Sequence, residues 1–509
     1  MDLLQQLSMM TLEEKASLCS GSNAMSTRAI ERLGVPAITL CDGPHGLRRP
    51  LEKSESHAPD ASLPATCFPA ACATASSWDR DLLRQIGVAL GEECAQEQVS
   101  LLLGPGVNIK RNPLCGRNFE YFSEDPLLAG ELATAYIEGV QSQGVGTSLK
   151  HFAVNNQETQ RMTVNALVDE RALHEIYLPA FEKAVTQARP WTVMAAYNRV
   201  NGPFCSEHEL LLQTILRNAW GFEGVVVSDW GAVNQRVAGL KAGLDLEMPG
   251  GGLDNNQRIA DAVRAGRLPE TVLDHAVRRL LALIEQGRTH LRPGFRADQE
   301  AHHQLARQAA TRSAVLLKNE GEALPLASSA RLAVIGDLAE TMRYQGAGSS
   351  MVHPTRVEHP LAVLRERCGE VYYAAGYQRM SEEHDEHLLE EACLVARQAE
   401  RVLVFLGLTE LAESEGFDRR HMRLPANQLT LMQRLTALRD DLIVVLFGGA
   451  PVEMPWLDKV PAVLHMYLPG QAGGAAVADL LLGEANPGGK LAETYPLRYE
   501  DTASARTFP

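Results

Sequence analysis

Asp229 stands two positions beyond three consecutive valines, in Val225-Val226-Val227-Ser228-Asp229-Trp230. An apolar run of that kind reads as a buried strand, and a carboxylate at its end sits where a barrel strand opens into a mouth able to carry chemistry. The same carboxylate reads equally well as the cap of a following helix, and position does not separate the two. A second acidic cluster, Glu410, Glu413 and Glu415, follows the apolar run Val402 to Leu406 within Thr409-Glu410-Leu411-Ala412-Glu413-Ser414-Glu415-Gly416-Phe417-Asp418-Arg419. Acids so closely spaced suit a solvated loop. They do chemistry only if one reaches across a domain cleft and completes a carboxylate pair.

The elements that must position these groups alternate along the chain. Short apolar runs ending in a polar residue and a turn read as buried parallel strands: Ala37 to Leu40, Leu101 to Leu103, Ser148-Leu149 before Lys150-His151, Thr192 to Met194, Val225 to Val227 and Leu244 to Leu246. Helical patterns lie between them, over Asp79 to Val99, Pro126 to Gln143, Glu170 to Gln187 and Glu207 to Trp220. That rhythm predicts a (β/α)8-like barrel over residues 1–290, whose strand ends carry the chemistry. An irregular stretch and a helix from His302 to Leu317 form a linker over 291–317. Beyond it, strands at Leu332 to Ile335, Val371 to Ala374, Val402 to Leu406, Leu442 to Phe447 and Val463 to Tyr467 alternate with helices such as Glu382 to Glu400 and Gln428 to Arg439. They predict an αβα sandwich over 318–509.

Composition narrows the functions. The chain has 509 residues, long enough for two or three domains, which excludes a lone small binding module. Lys plus Arg number 48 against 63 Asp plus Glu, a net charge of −15 without a basic block, so nucleic acid is not the expected partner. The opening Met1-Asp2-Leu3-Leu4-Gln5-Gln6-Leu7 does not read as a secretory signal, and no apolar run reaches the length of a membrane span. Nine cysteines without paired spacing favour reduced thiols and a cytoplasmic protein over disulfides or a metal site.

Several segments together resemble glycoside hydrolase family 3. They are Cys41-Asp42-Gly43-Pro44-His45-Gly46-Leu47-Arg48, Gly116-Arg117-Asn118-Phe119-Glu120-Tyr121-Phe122-Ser123-Glu124-Asp125-Pro126, Lys150-His151-Phe152 and Ser228-Asp229-Trp230. Met10-Thr11-Leu12-Glu13-Glu14-Lys15 and Asn486-Pro487-Gly488-Gly489-Lys490-Leu491 extend the resemblance over essentially the whole chain. It implies a barrel-like first domain, a sandwich second domain and a sugar pocket at their junction. It further implies that Asp229 is the nucleophile and Glu415, the Glu before Gly-x-Asp-Arg, the acid/base, with no metal and no cofactor.

By the same resemblance, Asp42, Arg117, Lys150, His151, Arg161, Met194, Tyr197 and Trp230 grip the non-reducing sugar. Asp42 suits accepting from hydroxyls, the three cationic or imidazole groups donating to them, and Trp230 forming an apolar wall. Lys150-His151-Phe152-Ala153-Val154-Asn155-Asn156-Gln157 departs from the N-acetylglucosaminidase form and resembles the two-domain β-glucosidase branch. Proteins of this type often continue into a fibronectin-like third domain, whereas the sequence given stops at Phe508-Pro509, as either a compact variant or a truncated product would, and the resemblance leads to the expectation of no inserted β-domain between Tyr377 and Arg401.

The expected activity is a retaining, exo-acting β-glucosidase on small β-glucosides or oligosaccharides, with no nucleic-acid or membrane partner; assembly as a homo-oligomer is compatible with the sequence. A β-xylosidase or broad aryl-β-glycosidase is the alternative among enzymes. A catalytically silent sugar-binding protein is the alternative of another class, disfavoured because an intact carboxylate pair gains a pure binding site little.

Overall fold

The computed structural model describes residues 2–51, 61–250 and 252–509. The chain divides into two compact units that do not part at a single cut. Unit 1 comprises Met1–Arg49, Arg80–Ile109 and Asp125–Ala297; unit 2 comprises Pro50–Asp79, Lys110–Glu124 and Asp298–Pro509. Two segments from the first half of the sequence therefore belong with the second half, where a reading by strand rhythm sees one break near residue 290. Long-range bonds hold them there. Cys67 N–H donates to Gln471 Oε1 at 3.0 Å, Ala70 N–H to Leu468 O at 3.0 Å, and Lys110 Nζ meets Glu493 Oε1 at 2.7 Å with both side chains buried.

In unit 1, β1 (Leu40–Asp42), β2 (Leu101–Leu103), β3 (Gly146–Phe152), β4 (Thr192–Ala195) and β5 (Val225–Ser228) form one parallel sheet in chain order. Parallel bridges carry the ladder on from Val227 to Leu246 and from Glu247 to Ser20. Leu244 to Leu246 thus contributes a bridge and not a full strand, and β1 begins at the last residue of the apolar run Ala37 to Leu40. All seven residues of β3 are buried, as expected of a strand covered on both faces. Parallel strands need long crossovers, which here contain α1 (Arg80–Gln96), α2 (Pro126–Ser142) and α3 (Pro179–Ala188). A β-carbon on Gly87 or Gly139 would overlap backbone oxygens of Tyr136 and Arg84, so these glycines set how closely α1 and α2 pack. Leu40, Leu101, Met194 and Val225 share a core with Leu280, Leu281 and Ile284 of α4 (Glu270–Thr289).

The expected helix over Glu170 to Gln187 is broken. Pro179 starts α3, because proline tolerates only the first turn of a helix, and a π-helical turn, Leu173–Tyr177, precedes it. Leu210–Ala219, expected as an α-helix, is π-helical as well.

Unit 2 is built on β6 (Val315–Asn319), β7 (Leu332–Ile335), β8 (Val371–Ala374), β9 (Arg401–Gly407), β10 (Leu442–Phe447) and β11 (Ala462–Tyr467), in the order β8-β7-β9-β10-β11-β6. Five strands are parallel; β6 joins the edge antiparallel to β11. β6 falls where the sequence reads as helix. A helix does occupy Gln299–Ser313, but the following Val-Leu-Leu run suits either state, and pairing with β11 decides it. The other strands match their predicted positions to within a residue. Helices Glu386–Gln398, Ala426–Leu438 and Gly473–Leu481 bury apolar faces in the core of this sheet.

Candidate active site

The parallel sheet of unit 1 brings the expected residues to one edge. Asp42 ends β1, Lys150 and His151 lie near the end of β3, Met194 is in β4, and Asp229 immediately follows β5. Asp229 N–H donates to Ala195 O at 3.0 Å, so the β4–β5 ladder fixes the backbone of the carboxylate. Its Oδ1 accepts the Trp230 N–H at 2.8 Å, while Oδ2 lies 3.7 Å from His151 Nε2. Only 7% of the residue is exposed. The next helix, Arg236–Ala242, has Gln235 at its N-cap with no side-chain cap bond, so Asp229 is not the cap of that helix.

His151 is held by its backbone. Asn108 receives its N–H at 2.8 Å and donates to its carbonyl at 2.9 Å, both through the buried side-chain amide. Register is irregular between Leu149 and Phe152, which relaxes strict strand alternation where Lys150 and His151, both buried, follow one another. Tyr197 O–H donates to Trp230 O at 3.2 Å, and the Arg161 guanidinium lies 4.8 Å from the Tyr197 ring centre while pairing with buried Glu158 at 2.7 Å. Trp230 is half-buried, its indole N–H donating to Ala24 O at 2.7 Å. Met194 packs into the apolar core, with Trp230 against the same cluster.

The remaining two expected residues, Arg117 and Glu415, lie in unit 2. Arg117 Nε and Nη2 both meet Glu120 Oε2, at 2.8 and 2.7 Å, and Nη1 is 3.5 Å from Glu415 Oε1. Glu415 Oε2 accepts the Ser349 N–H at 2.7 Å, and Glu415 N–H donates to Ala347 O at 3.1 Å. Its side chain keeps 13% of its surface accessible.

The other acids of the cluster differ. Glu413 is fully buried, pairing with Arg343 at 2.6 Å and accepting the Gly449 N–H at 2.6 Å. Glu410 is half-buried, 3.9 Å from Arg379. On the same loop, burial pulls the guanidinium of Arg419 down to about 10, still a cation at neutral pH.

The groups that the sequence did not single out are those that hold the others: Asn108, Glu120, Glu158, Ser349 and Gly348. Gly348 has a φ of +110°, where other residues are strained, and a β-carbon on it would overlap the Glu415 side chain. Gly348→Ala is therefore expected to displace the Glu415 side chain and, on the role that the resemblance implies for Glu415, to lower kcat/KM on slow alkyl β-glycosides by about tenfold to a hundredfold. It should also cost about 1–3 kcal/mol of stability, readable by kinetics beside a thermal melt. Among the described residues, no group of His, Cys, Asp and Glu is arranged to hold a metal ion, and no helix is long and apolar enough to cross a membrane.

The chain matches known proteins over nearly its whole length. Residues 8–283 match the glycosyl hydrolase family 3 N-terminal domain, and residues 314–508 the C-terminal domain of the same family. The chain belongs to glycoside hydrolase family 3. It is 52% identical over 511 residues to the thermostable β-glucosidase B of Acetivibrio thermocellus, covering all of this chain and 68% of that protein. It is 47% identical to an exo-α-(1→6)-L-arabinopyranosidase of Bifidobacterium breve, over 98% of this chain and 67% of the relative. The crystal structure of a family 3 β-glucosidase from Bifidobacterium adolescentis superposes with a TM-score of 0.93 at 46% identity, over 99% of this chain and 73% of that one. As a family 3 member the chain is a glycoside hydrolase.

Proposed function

We propose that the chain is an exo-acting, retaining β-glucosidase that removes terminal β-D-glucosyl residues. The observation that carries the reading is the seating of Asp229, a buried carboxylate at a strand end that caps no helix, oriented by the Trp230 N–H and facing the His151 imidazole. Full-length similarity to a protein named a β-glucosidase supports the choice of sugar.

In the proposed reaction Asp229 attacks C1, the bond from C1 to the glycosidic oxygen breaks, and Glu415 gives its proton to the departing oxygen. Water then loses a proton to Glu415 and attacks C1, and Asp229 leaves as the carboxylate. Two inversions give net retention. The reading requires the two carboxyl groups to meet across one glycosidic bond, about 5–5.5 Å apart. Asp42, Arg117, Lys150, His151, Arg161, Tyr197 and Trp230 are read as the grip on the sugar, with Met194 supporting it from the core. We also read unit 1 as a (β/α) barrel, supported by the bridges that extend its sheet, and the protein as cytoplasmic, supported by nine cysteines that are all free.

A second reading, an exo-acting pentopyranosidase, is favoured by the arabinopyranosidase relative. The two differ at one group, because a pentopyranoside has no exocyclic hydroxymethyl. A site that hydrogen-bonds O6 leaves its own polar group unpaired on a pentoside, a penalty of about 1–3 kcal/mol. Nitrophenyl β-glucoside is therefore expected to exceed the β-xyloside and α-L-arabinopyranoside in kcat/KM by roughly ten- to two-hundredfold. The resemblance implies that Asp42 accepts from both the O4 and O6 hydroxyls, of which only O6 discriminates, so Asp42→Asn should narrow that gap. A pentoside turned over as well as the glucoside or better transfers the assignment to the second reading.

A further inference from the structure

We propose that Arg343 and Glu413 are positioning residues for the acid/base, an ion pair that holds the loop bearing Glu415 in register with the loop that grips its carboxyl group. The inference rests on the reading of Glu415 given above. Both loops leave C-terminal ends of neighbouring parallel strands, one after β7 and one after β9, the edge at which open α/β sheets place their chemistry.

The loops are tied at two levels. At the tip, Glu415 N–H donates to Ala347 O at 3.1 Å and Ser349 N–H donates to Glu415 Oε2 at 2.7 Å. At the base, Arg343 Nη1 bonds Glu413 Oε1 at 2.6 Å and Arg343 Nη2 donates to the Glu413 backbone carbonyl at 3.2 Å. One guanidinium thus fixes both the side chain and the main chain two residues from Glu415. Gly449 N–H, just beyond β10, donates to the same Oε1 at 2.6 Å and adds a third anchor.

The pair is dry, with side chains 1% and 0% exposed. A buried ion pair adds little net stability compared with apolar residues of the same volume, because desolvation offsets the Coulomb attraction. What the planar fork of arginine adds is direction. Proton transfer to a leaving oxygen is sensitive to direction, and a displacement of about 1 Å can cost on the order of a hundredfold.

Glu413→Gln keeps the shape and weakens the pair; Arg343→Lys keeps the charge and loses the fork. Each variant is to be assayed with methyl β-glucoside, whose departure needs the acid, and with 2,4-dinitrophenyl β-glucoside, whose departure does not. The expected result is a fall in kcat/KM of about ten- to a hundredfold on the methyl glucoside, against less than about threefold on the dinitrophenyl one, with KM little changed. Neither variant should form glycosyl azide, because Glu415 is still present, whereas Glu415→Ala should. Equal losses on both substrates, or none, would overturn the proposal. So would failure of both variants to fold, which assigns the pair to the fold alone. Glycosyl azide from Glu413→Gln and none from Glu415→Ala overturns instead the reading of Glu415, so the two failures are distinguishable.

Discussion

Asp229→Ala is expected to lower kcat/KM for nitrophenyl β-glucoside by about four orders of magnitude or more, while the protein unfolds at the same or a higher temperature. On the proposed reading the loss is large because the nucleophile shares the C1 bond in the transition state, and Asp229 stands at a strand end with Oδ2 3.7 Å from His151 Nε2. Activity and stability part because burial of the carboxylate is costly for an anion, a cost that the Trp230 N–H at 2.8 Å and the imidazole at 3.7 Å offset only in part. Alanine removes that cost. The backbone bond from Asp229 N–H to Ala195 O survives the change, so the end of β5 stays in place. Inactivation by a 2-deoxy-2-fluoro glucoside followed by peptide mapping gives the positive form of the test: wild type carries the label on Asp229, and the variant carries none. A label on another carboxylate, or release of the α-anomer, would remove Asp229 from the role.

What was legible in the sequence and what was not follow from the range of the forces involved. β2 reads correctly to the residue because three leucines are bounded by a polar residue and a Gly-Pro turn. Asp229 reads as a candidate because a strand end is a local feature. β6 does not read, since Val315 to Asn319 has no local preference and is a strand only through its pairing with β11, over 140 positions away. The assignment of segments 50–79 and 110–124 to unit 2 is hidden for the same reason. Their partners, Gln471, Leu468 and Glu493, lie hundreds of residues further on.

Within the site, resemblance names groups by type but cannot name a backbone donor. The Ser349 N–H on Glu415 carries no residue-type signal, and Gly348 matters only because Glu415 packs against it. The spacing of Glu413 and Glu415 is equally silent, since residues two apart share a face in extended chain. Their separation into one buried anchor and one accessible acid comes from Arg343 and Gly449 on one side, and from Ala347 and Ser349 on the other.

That separation makes the effects of replacing each glutamate different in kind. Glu415→Ala should leave a folded protein, because its carboxyl group bonds a backbone N–H at an accessible loop and stands 3.5 Å from an arginine already paired with Glu120. Its kcat/KM on methyl β-glucoside should fall by about 10²- to 10⁴-fold, the usual worth of a positioned general acid. On 2,4-dinitrophenyl β-glucoside kcat/KM should change little, while kcat drops because hydrolysis of the glycosyl ester still needs a base. Azide, an anion that attacks without base assistance, should restore that kcat and give the β-glycosyl azide.

Glu413→Ala has a different expectation. It strands the buried Arg343 cation, a change worth about 3–5 kcal/mol of destabilisation, and so lowers the melting temperature with no azide product. Azide product from Glu413→Ala, with none from Glu415→Ala, would move the acid/base two residues along the loop.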